Sequence, residues 1–203
     1  MKKKGGGGPR REAQRILRGG KPLDGKTVVV GVSGSIAAYK AAEVVSQLVQ
    51  RGASVPVVMT AAATKFVGPL TFQAITRIRV MTDPFDPESV IDATHISLTE
   101  KADLVVLAPA TANLIGKVAH GLADDMLTSL LLAVRCPVLV APAMNDRMWG
   151  NKAFQKNLAA IRDLGFRVIE PDEGFLACGT YAVGRLADPA RIVKEVETVL
   201  CAS

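Results

Sequence analysis

The chain has 203 residues, of which 49% are hydrophobic and 22% are charged. This length suits one well-buried domain and is short for two. The formal net charge of +6 raises nucleic acid or an anionic surface as a partner, whereas no apolar run approaches the roughly 18 residues of a membrane span. The composition therefore excludes a membrane-spanning protein and leaves a globular one.

The positive charge is concentrated at the N-terminus. Residues 1–22 contain eight of the 25 basic residues, one of the 19 acidic residues and a run of four glycines, which leaves 17 basic and 18 acidic residues elsewhere. We predict that 1–22 is a disordered basic tail and that one domain spans 23–203. Because the domain shows no basic face with interleaved aromatics, we expect no nucleic-acid partner. The tail lacks the apolar segment of a secretory signal, so a cytoplasmic location is expected.

Short apolar runs alternate with helical patterns along the rest of the chain. A strand at 26–32 leads through a glycine turn into a helix from Ile36 to about Arg51. The later predicted elements are a strand at 55–59, a helix at 71–76, a strand at 79–81, a strand at 103–108, a helix from 114, a helix at 124–134, a strand at 138–140, a helix at 152–164, a strand at 166–169 and a helix at 189–200. This alternation predicts a single doubly wound parallel sheet, a flavodoxin-like or Rossmann-like three-layer α/β sandwich.

Four predicted strand-to-helix junctions carry small or hydroxyl residues. They are Ser33-Gly34-Ser35, Thr60-Ala61-Ala62, Thr111-Ala112-Asn113 and Ala143-Met144-Asn145. Backbone N–H groups and hydroxyls at helix N-termini bind anions, so the first and third junctions are candidates for a phosphate site. The first junction lacks both the P-loop pattern and the complete dinucleotide fingerprint. A mononucleotide such as FMN therefore fits a flavodoxin-like sheet better than NAD does.

The segment Pro142–Trp149 follows a predicted buried strand and contains the only tryptophan of the chain. Ligands of open parallel sheets bind outside the carboxyl ends of the strands. One interpretation is a site, in which Asn145 offers a donor and an acceptor to a planar polar group. The other is a turn in which Asn145 caps a helix while Met148 and Trp149 pack as core. The segment alone leaves both interpretations open.

The cysteines and histidines show no pattern typical of a disulfide framework or a metal site. Three cysteines at wide spacing, without a C-x-x-C pair, predict neither a disulfide framework nor a zinc site, and no metal is expected. Cys136 and Cys201 are interpreted as structural or incidental, whereas Cys178 lies in a predicted loop. His120 stands at a predicted helix end, as a capping histidine does. His95 lies on a short amphipathic turn before a strand and is one of only two histidines.

Several motifs in this order resemble those of a known family over about residues 25–200. They are Gly34-Ser35-Ile36-Ala37-Ala38, His95, Ala108-Pro109-Ala110-Thr111-Ala112-Asn113, Gly121-Leu122-Ala123-Asp124-Asp125, Pro142–Trp149 and Ala177-Cys178-Gly179. The chain is thereby similar to the homo-oligomeric flavin-containing cysteine decarboxylases, and among them to those of coenzyme A biosynthesis. After the cysteine, the usual Gly-Arg-Met of the family reads Gly184-Arg185-Leu186 here.

The resemblance implies an FMN cofactor and a set of site residues. The residues implied to bind FMN are Gly34, Ser35, Ile36, Thr60, Ala61, Ala62, Thr111, Ala112, Asn113 and Ala143. His95 is implied as the catalytic histidine, Asn145 as the group that binds the substrate carboxylate or amide, and Cys178 as a proton donor on a substrate-covering loop. Met148, Ala177 and Gly179 are implied to complete the substrate site.

The reaction implied by the resemblance converts 4'-phosphopantothenoylcysteine to 4'-phosphopantetheine and CO2. Flavin oxidation of the cysteine thiol gives a thioaldehyde, whose C=S group stabilises the carbanion left when CO2 departs. Hydride return and a proton from Cys178 then reduce the enethiol, so the reaction has no net redox change. Relatives that decarboxylate peptidyl cysteine stop at the enethiol and lack this cysteine. Cys178 therefore favours the complete reaction.

Other functions of the same fold compete with this one. They are an enethiol-forming peptidyl-cysteine decarboxylase, a flavin prenyltransferase, a non-catalytic regulatory flavoprotein subunit and an electron-transfer flavodoxin. The Asn-x-x-Met-Trp pattern of residues 145–149 together with Cys178 argues against the two other enzymes. The presence of His95, Asn145 and Cys178 argues against a regulatory subunit, and an electron-transfer flavodoxin would need neither His95 nor Cys178. The resemblance also implies a homo-oligomer, either a trimer or a dodecamer built from trimers. A stand-alone enzyme and one domain of a longer bifunctional protein both remain open.

Overall fold

A computed structural model describes residues 20–83 and 94–201, and the side chains of 94–97 lie outside that description. Most of the predicted basic tail, residues 1–19, is likewise outside the described residues. Leu23, the first residue of the predicted domain, is fully buried in the core. Among the described residues, none of the helices has the length and apolar character needed to cross a membrane.

Five parallel strands form the central sheet of the described part, in the order β2-β1-β3-β4-β5. They are β1 (Val28–Val32), β2 (Val57–Met59), β3 (Leu104–Ala110), β4 (Val138–Pro142) and β5 (Arg167–Val168). The order 2-1-3-4-5 is that of flavodoxin-like proteins, in which the chain changes direction across the sheet between β1 and β3. The predicted doubly wound parallel sheet is confirmed.

Helices cover both faces of this sheet. They are α1 (Ala38–Gln50), α2 (Pro69–Thr76), α3 (Thr94–Lys101), α4 (Ala112–Ala119), α5 (Met126–Ala133), α6 (Asp146–Trp149), α7 (Lys152–Asp163) and α8 (Pro189–Cys201). Buried side chains of α1, α2 and α8 pack on one face, and those of α3, α4, α5 and α7 pack on the other. The molecule therefore has the three layers that the sequence predicts.

The strands are apolar throughout because each of their two faces is covered. Val28, Val30 and Val32 of β1 belong to one apolar cluster and Val29 to the other, as the two-residue period of a strand requires. Gly31 occupies the next position on the second face, where a Cβ would lie 2.6 Å from Leu107 Cδ2. Because Gly31 has no side chain, Leu107 and Leu127 can pack against this position of β1.

A two-stranded antiparallel sheet lies apart from the central one and was not predicted. It consists of β6 (Asp172–Phe175) and β7 (Tyr181–Arg185). Most of its side chains are partly or fully exposed, and each strand contains a glycine, so neither strand shows an apolar run. The predicted loop around Cys178 is the connection between these two strands.

Other boundaries differ from the prediction in smaller ways. The strand expected at 79–81 is reduced to a single bridge from Met81 to Val58. Strand β3 continues two residues beyond its predicted end, through Pro109 to Ala110. Helix α5 begins at Met126 because Asp125 caps it, with its carboxylate accepting the Thr128 N–H at 2.8 Å. These changes move no predicted site residue to another edge of the sheet.

Candidate active site

Ser33 ties together the carboxyl ends of β1 and β3, where the sheet changes direction. Its buried hydroxyl donates a hydrogen bond to the Pro109 carbonyl at 2.7 Å and accepts one from the Thr111 N–H at 2.9 Å. The Ser33 N–H also donates to the Pro109 carbonyl, at 3.2 Å. These bonds hold the first and third junctions in one arrangement. Sequence reasoning gave Ser33 no separate role.

The second junction lies directly against the first. A Cβ added to Gly34 would overlap the Cβ of Ala62 and lie 3.0 Å from its carbonyl carbon. Glycine at position 34 therefore permits a backbone approach that a larger residue would prevent. Thr60 orders the start of the second junction by accepting the Ala63 N–H on its hydroxyl at 3.2 Å.

A cavity of about 750 Å³ lies at these strand ends, and we call it the junction cavity. All ten residues that the family resemblance implied to bind FMN line it: Gly34, Ser35, Ile36, Thr60, Ala61, Ala62, Thr111, Ala112, Asn113 and Ala143. Its wall is completed by residues that were not assigned to the cofactor: Ser33, Phe66, Leu114, Lys117, Asp125, Met144 and Met148. The sequence patterns therefore located this cavity and missed part of its apolar and charged wall.

Among the described residues that line the junction cavity, Lys117 is the one cation. It forms ion pairs with Asp124 at 2.7 Å and with Asp125 at 3.3 Å. The hydrogen bond that Lys117 donates to Asp124, aided by both negative charges, raises the pKa of Lys117 above its ordinary value in spite of partial burial. The lysine therefore stays charged at neutral pH and joins the end of α4 to the start of α5.

A second cavity of about 690 Å³ adjoins the first, and we call it the thiol cavity. Ser35, Ile36, Ala143 and Met144 line both cavities, so one opens beside the other. Asn145, Ala177 and Cys178 line only the thiol cavity. The structure thus brings together residues from the first junction, the segment after β4 and the β6–β7 connection.

Asn145 and Cys178 are in direct contact. The amide Nδ2 of Asn145 donates a hydrogen bond to Cys178 Sγ at 3.1 Å, while its Oδ1 accepts the Arg147 N–H at 2.8 Å as the cap of α6. One amide thus caps the helix, as the second interpretation expected, and also contacts the thiol, but Met148 is 48% exposed, so its predicted packing as core is wrong. Trp149 packs on Phe154 with ring centroids 5.6 Å apart.

Thr180 is a third member of this group that sequence reasoning missed. Its Oγ1 lies 3.0 Å from Cys178 Sγ, across the tight turn that joins β6 and β7. Hydrogen bonds from the Thr180 side chain and backbone, with a smaller one from Asn145, lower the pKa of the Cys178 thiol. The thiol is thereby a stronger acid than an unperturbed cysteine.

The β6–β7 hairpin is attached to the segment after β4 at Gly184. The Met144 N–H donates to the Gly184 carbonyl at 2.9 Å. Gly184 has φ +140°, and a Cβ there would overlap the Met144 carbonyl oxygen. Only glycine combines this backbone conformation with so close an approach. The contact sets where the hairpin presents Cys178.

The remaining predicted site residues are placed as follows. Met148 lines the junction cavity rather than the thiol cavity, and Gly179 lines neither, although it makes the turn beside Cys178 with φ +86°. His95 lies in the first turn of α3, and its side chain is outside the described part of the structure. His120 caps α4, with Nδ1 2.8 Å from the Gly116 carbonyl oxygen.

The fold and the cavity at its β1/β3 switch point define a flavodoxin-like α/β protein with a nucleotide-sized site. The model of the Flavoprotein family matches residues 18–200. The chain therefore belongs to the flavoprotein family.

Among its relatives is the coenzyme A biosynthesis bifunctional protein CoaBC of Bacillus subtilis (strain 168), which is 50% identical over 175 residues. The match covers 86% of this chain and 43% of that protein, so the chain spans less than half the length of this relative.

Two solved structures are similar over nearly their whole length. A cysteine-to-serine mutant of PPC decarboxylase, complexed with pantothenoylaminoethenethiol, is 33% identical, with a TM-score of 0.76 and coverage of 84% of this chain and 96% of that one. The FMN-dependent cysteine decarboxylase SpaF is 36% identical, with a TM-score of 0.78 and coverage of 89% and 98%.

Proposed function

We propose that this chain is an FMN-dependent decarboxylase that converts 4'-phosphopantothenoylcysteine to 4'-phosphopantetheine and CO2. The observation that carries the proposal is the Asn145–Cys178 hydrogen bond in a cavity adjoining the junction cavity. It brings the group proposed to hold the cysteine end of the substrate within 3.1 Å of the proposed proton donor. The similarity to CoaBC and PPC decarboxylase supports the same substrate.

The junction cavity fits FMN in size and in chemistry. Ser35, Thr60 and Thr111 supply hydroxyls, and the N-terminus of α4 supplies backbone N–H groups suited to a phosphate. Phe66, Leu114 and the two methionines give an apolar wall suited to a planar ring system. The cavity volume of about 750 Å³ is within the range of cofactor sites. These residues would hold the cofactor between the first, second and third junctions.

When bound, FMN supplies a reversible two-electron oxidation and reduction of the substrate carbon that carries sulfur. The chain itself binds and orients the substrate. Asn145 is fixed by its hydrogen bond to the Arg147 N–H, so its Nδ2 is presented to the thiol cavity in one orientation. That donor is suited to hold the carboxylate or amide at the cysteine end of the substrate.

Cys178 moves the proton that the product gains. Thr180 and Asn145 hydrogen bonds favour the thiolate, so the pKa of Cys178 is lowered and Sγ releases its proton more readily. Its exposed position in the thiol cavity leaves Sγ open to a bound substrate. His95 is proposed as the catalytic histidine of the half-reaction that releases CO2.

The proposal is tested by separating the two halves of the reaction. The purified protein should be yellow or bind added FMN, and it should release CO2 from 4'-phosphopantothenoylcysteine. Cys178→Ser should still release CO2 but accumulate the enethiol, whereas His95→Asn should lose CO2 release. A protein that does not bind FMN, or a Cys178→Ser variant that forms 4'-phosphopantetheine normally, would contradict the assignment. Product analysis by mass spectrometry distinguishes these outcomes.

We further propose that the chain assembles as a homotrimer, or as a dodecamer of trimers, in the cytoplasm. Support for assembly comes from large apolar side chains that border the two cavities yet remain exposed: Ile36, Tyr39, Phe66 and Met148. Apolar surface of this kind beside a site is typical of a protein contact. A second copy packed there would cover the apolar edge of the site.

A further inference from the structure

The thiol cavity contains two cationic side chains that the proposed chemistry does not use. Lys40 lies in the first turn of α1, and Arg185 ends β7. Both line the cavity together with Asn145 and Cys178. No acidic residue is among the described residues that line it. The cavity therefore has a net positive charge beside an uncharged amide and a thiol.

The nearby described carboxylates form no ion pair with these cations. Glu43, one turn after Lys40, accepts a hydrogen bond from Gln47 at 3.2 Å. Asp172, which faces Arg185 across the hairpin, instead pairs with Arg191 at 3.0 Å and accepts the Asp188 N–H at 2.8 Å. Among the described residues, neither Lys40 nor Arg185 has an ion-pair partner.

Arg185 is held by the hairpin itself. A Cβ added to Gly174 would lie 2.9 Å from Arg185 Nη1 and 3.0 Å from its Cδ. The arginine side chain therefore lies across Gly174, in space that any larger residue would occupy. This packing limits the rotamers of Arg185 and reduces the entropy lost when its guanidinium binds an anion.

We propose that Lys40 and Arg185 form the subsite for the 4'-phosphate of the substrate, which rests on the function proposed above. A phosphate monoester carries close to two negative charges at neutral pH and suits one guanidinium fork and one ammonium. The cavity then recognises both ends of one molecule, with Asn145 and Cys178 at the cysteine end. The subsite favours 4'-phosphopantothenoylcysteine over pantothenoylcysteine, which lacks the phosphate.

Two other anions are less suited to this pair. The FMN phosphate is expected in the junction cavity, and neither Lys40 nor Arg185 lines that cavity. The substrate carboxylate is already assigned to the uncharged amide of Asn145. A cation on that carboxylate would stabilise the charge that must be lost as CO2 departs and would oppose the reaction.

The experiment compares 4'-phosphopantothenoylcysteine with pantothenoylcysteine as substrates of the FMN-loaded protein. We expect the wild type to prefer the phosphorylated compound. Lys40→Gln and Arg185→Gln should each lower kcat/KM for that compound by about 10- to 100-fold, as expected for one charge-assisted hydrogen bond, and leave pantothenoylcysteine nearly unaffected. Arg185→Lys should retain part of the preference. Lys156→Gln, an exposed cation that lines neither cavity, is the matched control.

The other outcomes overturn the inference in distinguishable ways. Equal losses on both substrates would assign the cations to the carboxylate, and weaker FMN binding by the variants would assign them to the cofactor. A wild type that decarboxylates both compounds equally well would contradict the phosphate subsite alone. A wild type that decarboxylates neither would contradict the proposed function as well. The FMN spectrum and circular dichroism of each variant separate these results from misfolding.

Discussion

Cys178 illustrates how a few short contacts set the chemistry of one side chain. Its Sγ lies 3.0 Å from the Thr180 hydroxyl and 3.1 Å from the Asn145 amide nitrogen. Both groups can donate to the thiolate, so together they lower the pKa of the thiol. A proton donor must still be protonated when it acts, so the step that depends on Cys178 should decline as the pH rises through this pKa.

Thr180→Val should shift that decline to higher pH. The substitution removes the hydroxyl that lowers the pKa of Cys178 most, so the pKa should rise towards its ordinary value of about 8.5. Formation of 4'-phosphopantetheine should then persist to more alkaline pH, although its rate at neutral pH should fall because the thiol is a weaker acid. Release of CO2 should keep its pH profile, and Thr180→Ser should behave as wild type. Unchanged pH profiles for both half-reactions in Thr180→Val would show that the hydroxyl does not tune the thiol.

The site residues divide into those that local sequence reveals and those that it does not. The ten predicted cofactor residues lie at strand-to-helix junctions, which are visible as small and hydroxyl residues after apolar runs. Thr180 and the two proposed phosphate-binding cations, Lys40 and Arg185, carry no such signal. Thr180 and Arg185 lie on the hairpin, and Lys40 lines the same cavity from α1. Thr180 stands two residues after Cys178, and that spacing in a tight turn is the one local clue.

At the scale of elements, the junction loops depend on how closely their backbones approach. Gly34 and Ala62 belong to loops that follow different strands, and their contact leaves no space for a side chain at position 34. The Ser33 hydroxyl adds the third loop through Pro109 and Thr111. The proposed cofactor site therefore consists of three short connections, each following a buried strand of the sheet.

Gly34→Ala should weaken FMN binding and destabilise the fold. Its methyl group would force the first and second junctions apart, with a cost of about 1–3 kcal/mol typical of overpacking. Fluorescence titration of FMN and urea unfolding measure the two effects. Gly68→Ala is the matched control, since a Cβ there meets nothing within 4 Å and its φ is −68°. Equal FMN affinity and stability in the two variants would contradict the close-approach argument.

The elements that the sequence predicted are those with a repeating apolar pattern. β1, β3 and β4 are buried on both faces and read as continuous apolar runs. The β6–β7 hairpin has few buried side chains, and it is joined to the segment after β4 by the hydrogen bond from Met144 to Gly184. Because pairing between exposed strands leaves little trace in local composition, the sequence predicted only the loop that connects them.

At the scale of the molecule, several large apolar side chains beside the two cavities remain exposed in the single chain. Tyr39 is 61% exposed and Ile36 is 59% exposed, although both line the thiol cavity. Phe66, on the junction cavity, is 51% exposed. Contact with further copies would bury these side chains and extend the walls of both cavities.

We expect the purified protein to have the mass of a trimer or of a multiple of trimers. Light scattering after size-exclusion chromatography measures that mass, and activity should fall when dilution produces monomers. Leu164 is an exposed leucine that lines neither cavity, so Leu164→Ser should leave the measured mass unchanged. A fully active monomer would contradict the proposed assembly.

The separation of the hairpin from the central sheet has a consequence for the outcome of the reaction. The sheet and its junctions form the site proposed for the oxidising half, whereas the proposed proton donor lies on a hairpin joined to them through Met144 and Gly184. Under the proposed function, a substitution of Cys178 alone would therefore alter the final compound without altering the capacity to release CO2. On the same proposal, a lineage that lost Cys178 would release reactive enethiols in place of saturated thiols, with the rest of the protein unchanged.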